Sequence, residues 1–174
     1  MEGIRLTGSD GAITVRVAVS DITDIWQIEA LKSEYSILNG ILESTDSAVF
    51  SLDSKYRYTS FNSHHAMVMK QLYDADIEPG HSIFDYQSVK EDQVRAKHNI
   101  DRALAGEPVM EEAFSGEEAR LRRYFEVTHY PIKDTGKKVI GVAVFAQDIT
   151  GRKAAEEALR ASEERYRRIC EGLT

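Results

Sequence analysis

Apolar and polar residues alternate most clearly in the C-terminal half of the chain. Arg122 to Lys133 (RRYFEVTHYPIK) places Phe125, Val127 and Ile132 among polar neighbours, the pattern of a half-buried strand. Asp134-Thr135-Gly136-Lys137 is turn chemistry, and Val139 to Ala146 (VIGVAVFA) reads as a second strand rich in β-branched residues, so the two form a hairpin. Asp148-Ile149-Thr150 follows, where either Asp148 or Thr150 caps the next helix. From about Arg152 the period changes. Ala155, Leu159, Ser162, Tyr166, Ile169 and Leu173 are spaced 4, 3, 4, 3 and 4, a coiled-coil seam, and Glu156–Arg160, Glu163–Arg167 and Glu164–Arg168 are favourable i,i+4 pairs. Ala155 and Ser162 bury little, so this helix needs a partner helix or a neighbouring domain to be stable.

The N-terminus repeats the same grammar. Gly3 to Val19 contains a strand, a Gly8-Ser9-Asp10-Gly11 turn and a second strand (AITVRVAV). Asp21-Ile22-Thr23 comes next, then a helix carrying Ile28, Leu31, Tyr35, Leu38 and Leu42 at spacings of 3, 4, 3 and 4. The two Asp-Ile-Thr triplets lie 127 residues apart, whereas Tyr35 and Tyr166 lie 131 apart; the second linker is therefore longer by four residues, about one helical turn. A repeat of this length suits tandem domains rather than a solenoid. Between the linkers, Ala48 to Asp53 (AVFSLD) and Tyr56 to Phe61 (YRYTSF) read as short strands around a Ser54-Lys55 turn. Asn62 is placed to cap a helix to about Leu72, Ile83 to Tyr86 forms a helical turn, and Glu91 to Ala105 forms an amphipathic helix ending at Gly106. On that helix Val94, His98, Asp101 or Arg102, and Leu104 or Ala105 recur with helical spacing. Val109 to Phe114 supplies another strand. Hairpins at both ends of this region imply an antiparallel sheet with helices over one face, an α+β fold.

Composition narrows the function more than the fold. Hydrophobic residues make up 42% and charged residues 29% of the 174, enough for a core and too little polarity for wholesale disorder. The net charge of -7, with no basic patch against it, argues against nucleic-acid and anionic-membrane partners. No apolar run approaches the ~20 residues that span a bilayer, and no signal-peptide pattern opens the chain. Cys170 is the single cysteine, which excludes an internal disulfide framework and a multi-cysteine zinc site. The expectation is a cytoplasmic protein.

The order of these elements resembles the PAS family. The resemblance rests on Tyr124-Phe-Glu-Val-x-x-x-Pro131-Ile132, then Gly141-Val142, Asp148-Ile149-Thr150 and an Ala/Glu-rich helix; Phe61-Asn62 and Ala103-Leu104-Ala105-Gly106-Glu107-Pro108 fit the middle. It implies a five-stranded antiparallel sheet with helices on one face, enclosing a small cavity and flanked by N- and C-terminal linker helices. It also implies this organisation: 1–23 as the C-terminal hairpin of a preceding copy, 24–36 as a linker helix, 37–150 as one complete PAS domain, and 151–174 as a coiled-coil-like linker to a next domain. Relatives of this kind are mostly sensor histidine kinases, so the resemblance implies a sensory or signal-relay module of a two-component system. It would act as a homodimer through its flanking helices and work beside adjacent domains of a longer protein.

No catalytic set converges. Asn62-Ser63-His64-His65 lacks the Glu and Pro of the kinase histidine box, and reads as an exposed helix face or a pair of pocket-lining residues; Ser51, Ser82 and Ser115 lack nucleophile-elbow glycines. Residues 64–86 hold no cysteine, so covalent flavin photochemistry is not expected. Haem is the cofactor alternative, with His98 on the long helix as its ligand if that side chain points inward. Phe50, Leu52, Met69, Phe84, Phe125, Val127 and Val144 are expected to wall the cavity, with Tyr58, His98, Arg123 and His129 as polar contributors. An inward His129 needs a partner, either a backbone carbonyl or Tyr within the core or else a ligand. Asp148 and Thr150 would couple the sheet to the output helix, and Leu159, Tyr166, Ile169 and Leu173 would form the dimer seam. The remaining alternative is a ligand-free PAS module that sets dimer geometry. No metal site is expected.

Overall fold

The computed structural model describes the backbone of residues 4–7, 13–16 and 23–171 and the side chains of residues 26–169. Leu173, expected in the helical seam, and the Gly8–Gly11 turn lie outside the described residues, as does the side chain of Cys170. Two units divide at Gly40. In the first, β1 (Ile4–Thr7) and β2 (Ile13–Arg16) pair antiparallel, Ile4 opposite Arg16. Helix α1 (Thr23–Glu43) runs without a break through the apolar series Ile28 to Leu42 read from the sequence.

The second unit contains β3 (Ala48–Asp53), β4 (Tyr58–Phe61), α2 (Ser63–Tyr73), a 3₁₀ turn at Ile83–Asp85, α3 (Lys90–Leu104), β5 (Val109–Ser115), β6 (Arg123–Lys133), β7 (Val139–Asp148) and α4 (Thr150–Glu171). The five strands form one antiparallel sheet in the order β4-β3-β7-β6-β5. The last strand is thus the centre of the sheet, with β3 on one side and β6 on the other. Successive side chains on a strand point to opposite faces. Ala48, Phe50 and Leu52 of β3, Phe125 of β6, and Val142 and Val144 of β7 therefore face one way and are buried. Val68, Met69, Leu72 and Tyr73 of α2, Ile83, and Ile100 and Ala103 of α3 complete this core from the helical side. Gly141 allows β3 and β7 to approach: a Cβ there would lie 2.4 Å from the Leu52 carbonyl oxygen.

Two local expectations are corrected. Strand β4 begins at Tyr58 and not at Tyr56, because Asp53 holds the preceding turn. Its Oδ1 accepts from the backbone N–H of Lys55 (2.8 Å) and Arg57 (2.9 Å), its Oδ2 accepts from Arg57 Nε (2.8 Å), and Tyr56 takes a left-handed φ of 62°. The exposed edge of β4 is partly covered by the following loop, where Tyr58 N–H donates to the His81 carbonyl and Gly80 N–H to that of Tyr58. The second correction is the phase of α3. Its buried face is Asp92, Asn99, Ile100 and Ala103, whereas Val94 and His98 are exposed. The helix begins with charged residues on every side, so position 94 or position 96 could start an apolar stripe. Packing selects Ala96, Ile100 and Ala103, of which the two alanines are small and Ile100 is almost fully buried.

The flanking helix α4 begins on the other face of the sheet. Arg152 contacts Glu112 (3.1 Å) and Glu126 (3.2 Å), and Lys153 pairs with Glu112 and lies over the Tyr124 ring. By alternation Glu112, Tyr124 and Glu126 face away from Phe125 and Val127.

Candidate functional site

Between the inner face of the sheet and helices α2 and α3 lies a cavity with about 80 Å³ open to water-sized groups. Its walls are Ala48, Phe50, Phe125, Val127, Val144 and Ala146 from the sheet, and Val68, Met69, Leu72, Ile83, Ala96 and Ile100 from the helical side. His65, Tyr73, Gln87, Asp92, Arg95, Glu111, Ser115 and His129 add polar groups. Of the sequence-expected wall residues, Phe50, Met69, Phe125, Val127, His129 and Val144 meet here.

The others do not. Leu52 and Tyr58 are fully buried but sit deeper in the core, outside the cavity lining. Phe84 packs on Tyr56 instead (ring centroids 5.2 Å), since the 3₁₀ turn sends Ile83 inward. Arg123, at the start of β6, is drawn to Asp148 on the neighbouring strand (Nη1 to Oδ2, 2.7 Å). His98 is exposed on the outer side of α3, beside Lys90, Glu91 and Val94. His98 therefore does not meet the condition set for the haem alternative, an inward side chain, and the cavity is about half the ~150 Å³ that accommodates benzene in a protein core.

His65 and His129 are the buried imidazoles of the site, each 3% exposed. His65 reaches the cavity because Asn62 caps α2: its Oδ1 accepts the His65 N–H at 2.9 Å and fixes the first turn. The imidazole stacks on Phe50 (4.1 Å, 21°) and its Nε2 meets the Tyr58 hydroxyl at 3.0 Å. Burial, with a smaller contribution from neighbouring His64, lowers the His65 pKa to about 3. Burial also raises the Tyr58 pKa, so the phenol stays protonated. His129 faces the cavity from β6, and burial lowers its pKa to about 4, opposed in part by the nearby Val109 backbone. Among the described residues neither Nδ1 has a hydrogen-bond partner.

Sequence reasoning left His65 open between an exposed and an inward position, and it missed the polar cluster on α3. Asp92 accepts from Tyr73 Oη (2.6 Å), Arg95 Nη2 (2.7 Å) and the Gly116 N–H (2.9 Å). Arg95 also donates to the Phe114 carbonyl and approaches Glu111 Oε1 at 3.7 Å. Burial raises the pKa of Glu111 against the pull of Arg95. The signal for this wall was the 4,3 spacing of Ala96, Ile100 and Ala103, one helical register away from the Val94–His98 stripe.

Two joints connect the cavity walls to the flanking helices. Asn62 is buried and makes five hydrogen bonds: Oδ1 accepts from Val49 N–H and His65 N–H, and Nδ2 donates to Leu42 O, Ser47 O and Thr45 Oγ1. Leu42 lies in the last turn of α1, where Glu43 also accepts from the Ser63 N–H. At the other end, Asp148 Oδ1 accepts the Thr150 N–H at 2.9 Å, the expected capping contact, and Arg123 and Thr150 hold its pKa below the usual carboxylate value. Thr150 Oγ1 turns back to accept the Tyr124 N–H (2.9 Å), and Ile149 N–H donates to Tyr124 O (2.8 Å). Asp148 and Thr150 therefore tie α4 to β6, next to Phe125. On α4, the seam residues Leu159, Tyr166 and Ile169 are all more than half exposed.

Among the described residues no three His, Cys, Asp or Glu side chains converge to hold a metal ion, and no helix is long and apolar enough to cross a membrane. The family model described as the PAS fold matches residues 42–154, more than half of the chain. No curated relative matches the sequence. Among solved structures, the PAS domain of a protein from Colwellia psychrerythraea superposes with a TM-score of 0.51 at 15% identity, covering 70% of this chain and 98% of that one. A sensory box histidine kinase/response regulator from Burkholderia thailandensis is similar at a TM-score of 0.51 and 16% identity, covering 77% and 98%. The PAS domain of Bordetella pertussis BvgS is similar at 0.50 and 18%, covering 76% and 98%. At such identities the likeness is one of fold.

Proposed function

The chain belongs to the PAS-fold family, and we propose that it is a cytoplasmic sensory segment of a multidomain signal-transduction protein, a sensor histidine kinase, in which this segment itself is not an enzyme. The observation that carries the reading is the position of the cavity between two hydrogen-bonded joints. His65, on one wall, follows Asn62, whose amide holds the end of α1. Phe125, on another wall, follows Tyr124, whose backbone holds the start of α4 through Ile149 and Thr150. A molecule that binds the cavity more tightly in one arrangement of these walls shifts the helices by no more than that difference in affinity. The exposed apolar seam of α4 and the apolar residues of α1 support a homodimer through the flanking helices, since isolated helices of this kind are marginal in water.

Native mass spectrometry of the purified protein, under conditions that keep dimers, tests both parts. A dimer retaining a small molecule agrees with the reading. A dimer free of any small molecule, and indifferent to a metabolite extract, favours instead a ligand-free module that sets dimer geometry. A monomer overturns the helix-mediated assembly.

A further inference from the structure

The residues that line the cavity are not equally covered. Those from α2 and from the inner sheet face, among them Val68, Met69, Leu72 and Phe125, are buried. The partly exposed ones lie along one seam: Arg95 and Ala96 on α3, Glu111 and Ser115 on β5, and Gln87 just before the helix. Val127 and Ala146 are partly exposed too, and strand pairing sets them in line with Glu111, Val127 opposite Glu111 and Ala146 opposite Val127. The cavity is thus least covered between α3 and β5.

That seam is closed differently along its length. At the C-terminal end of α3 and the start of β5, Ile100, Ala103 and Val109 are buried apolar side chains. At the other end buried Asp92 accepts the Gly116 N–H at 2.9 Å, directly after β5. Between the ends the closure is made by one side chain. Arg95 is anchored on its own helix by Asp92 (Nη2 to Oδ1, 2.7 Å). It reaches β5 through the Phe114 carbonyl (2.6 Å), Ser115 Oγ (3.4 Å) and Glu111, whose Oε1 lies 3.7 Å from Nε. The side chain is 28% exposed. The backbone groups of a helix interior bond within the helix, so no ladder joins α3 to β5 at this level.

We propose that small molecules enter the cavity between α3 and β5, and that Arg95 is the bolt across this entrance. This assignment rests on the reading of the cavity as the cue site. When the guanidinium swings into water it exchanges its contacts to β5 for hydration, and helix and strand stay joined at the two ends of the seam. No backbone need unfold, because a partly exposed long side chain changes rotamer quickly. Asp92 keeps its bonds from Tyr73 Oη and the Gly116 N–H while the bolt is open. It loses its counter-charge, however, which favours return. The open arrangement is therefore a minor state, on the order of 0.1–10% of molecules. Arg95 thus sets how fast an occupant comes and goes rather than how tightly it is held.

Xenon, a single apolar atom, is a probe within the volume of about 80 Å³. Saturable shifts of the Val127, Val144 and Ala146 methyl signals report its occupancy, and ¹²⁹Xe exchange spectroscopy of the intact chain reports how fast it leaves. Arg95→Met should speed exchange about tenfold, the worth of one hydrogen bond to a charged group, while the affinity changes less than about twofold. Glu111→Gln, which leaves Asp92 paired, should speed it about threefold. Arg120→Ala releases the neighbouring β5–β6 connection from Asp74 and should leave exchange unchanged. If the methionine variant does not fold, Glu111→Gln against Arg120→Ala decides. Equal exchange in all variants, faster exchange in Arg120→Ala than at the seam, or an affinity that changes as much as the rate overturns the entrance and leaves the cavity reading in place. No saturable methyl shift with xenon overturns both.

Discussion

Two imidazoles buried in their neutral form make stability depend on pH. His65 and His129 have pKa values of about 3 and about 4, against an ordinary value of 6.5 in the unfolded chain. The unfolded state therefore takes up protons that the folded state refuses. Stability from this source is complete above pH 6.5, falls as the pH drops, and levels off only below the folded-state values. Between pH 7 and pH 5 each histidine costs about 2 kcal/mol, and the pair about 4 kcal/mol, from 1.36 kcal/mol per pH unit. That is a large part of the 5–15 kcal/mol typical of a domain, roughly speaking. Carboxylates with lowered pKa values, such as Asp53 and Asp148, act in the same direction but begin near their ordinary value of 3.8, below the window. Glu111, whose pKa is raised, acts the other way, because its folded state binds a proton first. Urea unfolding at pH 7 and pH 5, for the natural sequence, H65Q, H129Q and the double variant, measures the effect. Each single variant should lose about half of the pH dependence, and the double variant nearly all of it. An unfolding free energy unchanged between the two pH values, or a drop that persists in the double variant, refutes the reasoning.

Other substitutions probe the joints and the packing. Asn62→Ala removes five hydrogen bonds around a buried side chain and strands the N–H groups of Val49 and His65; a loss of about 3 kcal/mol or more is expected in urea unfolding. It should also raise hydrogen exchange at the end of α1, which an effect confined to the sheet would not do. Gly141→Ala places a Cβ against the Leu52 carbonyl and should cost about 3 kcal/mol by forcing β3 from β7, seen as lost amide protection in both strands. Asp92→Asn leaves Arg95 without its buried counter-charge and should cost roughly 3 kcal/mol; an Asp92→Asn/Arg95→Met pair that costs as much as the single change would show that the ion pair is not the reason.

Much of the fold was legible because it is local. The hairpin of β6 and β7, the strand at Ala48–Asp53, the Asn62 cap and the stop at Gly106 each follow from residues within a few positions of one another. Strand alternation then placed Phe125, Val127 and His129 on the cavity side correctly, since period two leaves a single choice once one residue is fixed. The helix α3 shows where this reasoning stops. With charged residues all around it, two registers are compatible with the sequence, and the choice between Val94–His98 and Ala96–Ile100–Ala103 depends on which side chains fit against the sheet.

The sequence by itself determined the family, the elements and their order, and the residues of the inner sheet face, because backbone propensity and hydrophobic period act over short stretches of chain. Tertiary structure alone decided that β7 would sit between β3 and β6, that His65 and not His98 would enter the cavity, and that Asp92 and Arg95 would form its polar wall. These outcomes join residues far apart in the chain through close packing and the pairing of buried polar groups, and neither has a local signature. The two unpaired imidazole nitrogens belong to that second kind: only the packed structure shows that, among the described residues, none is placed to hydrogen-bond them.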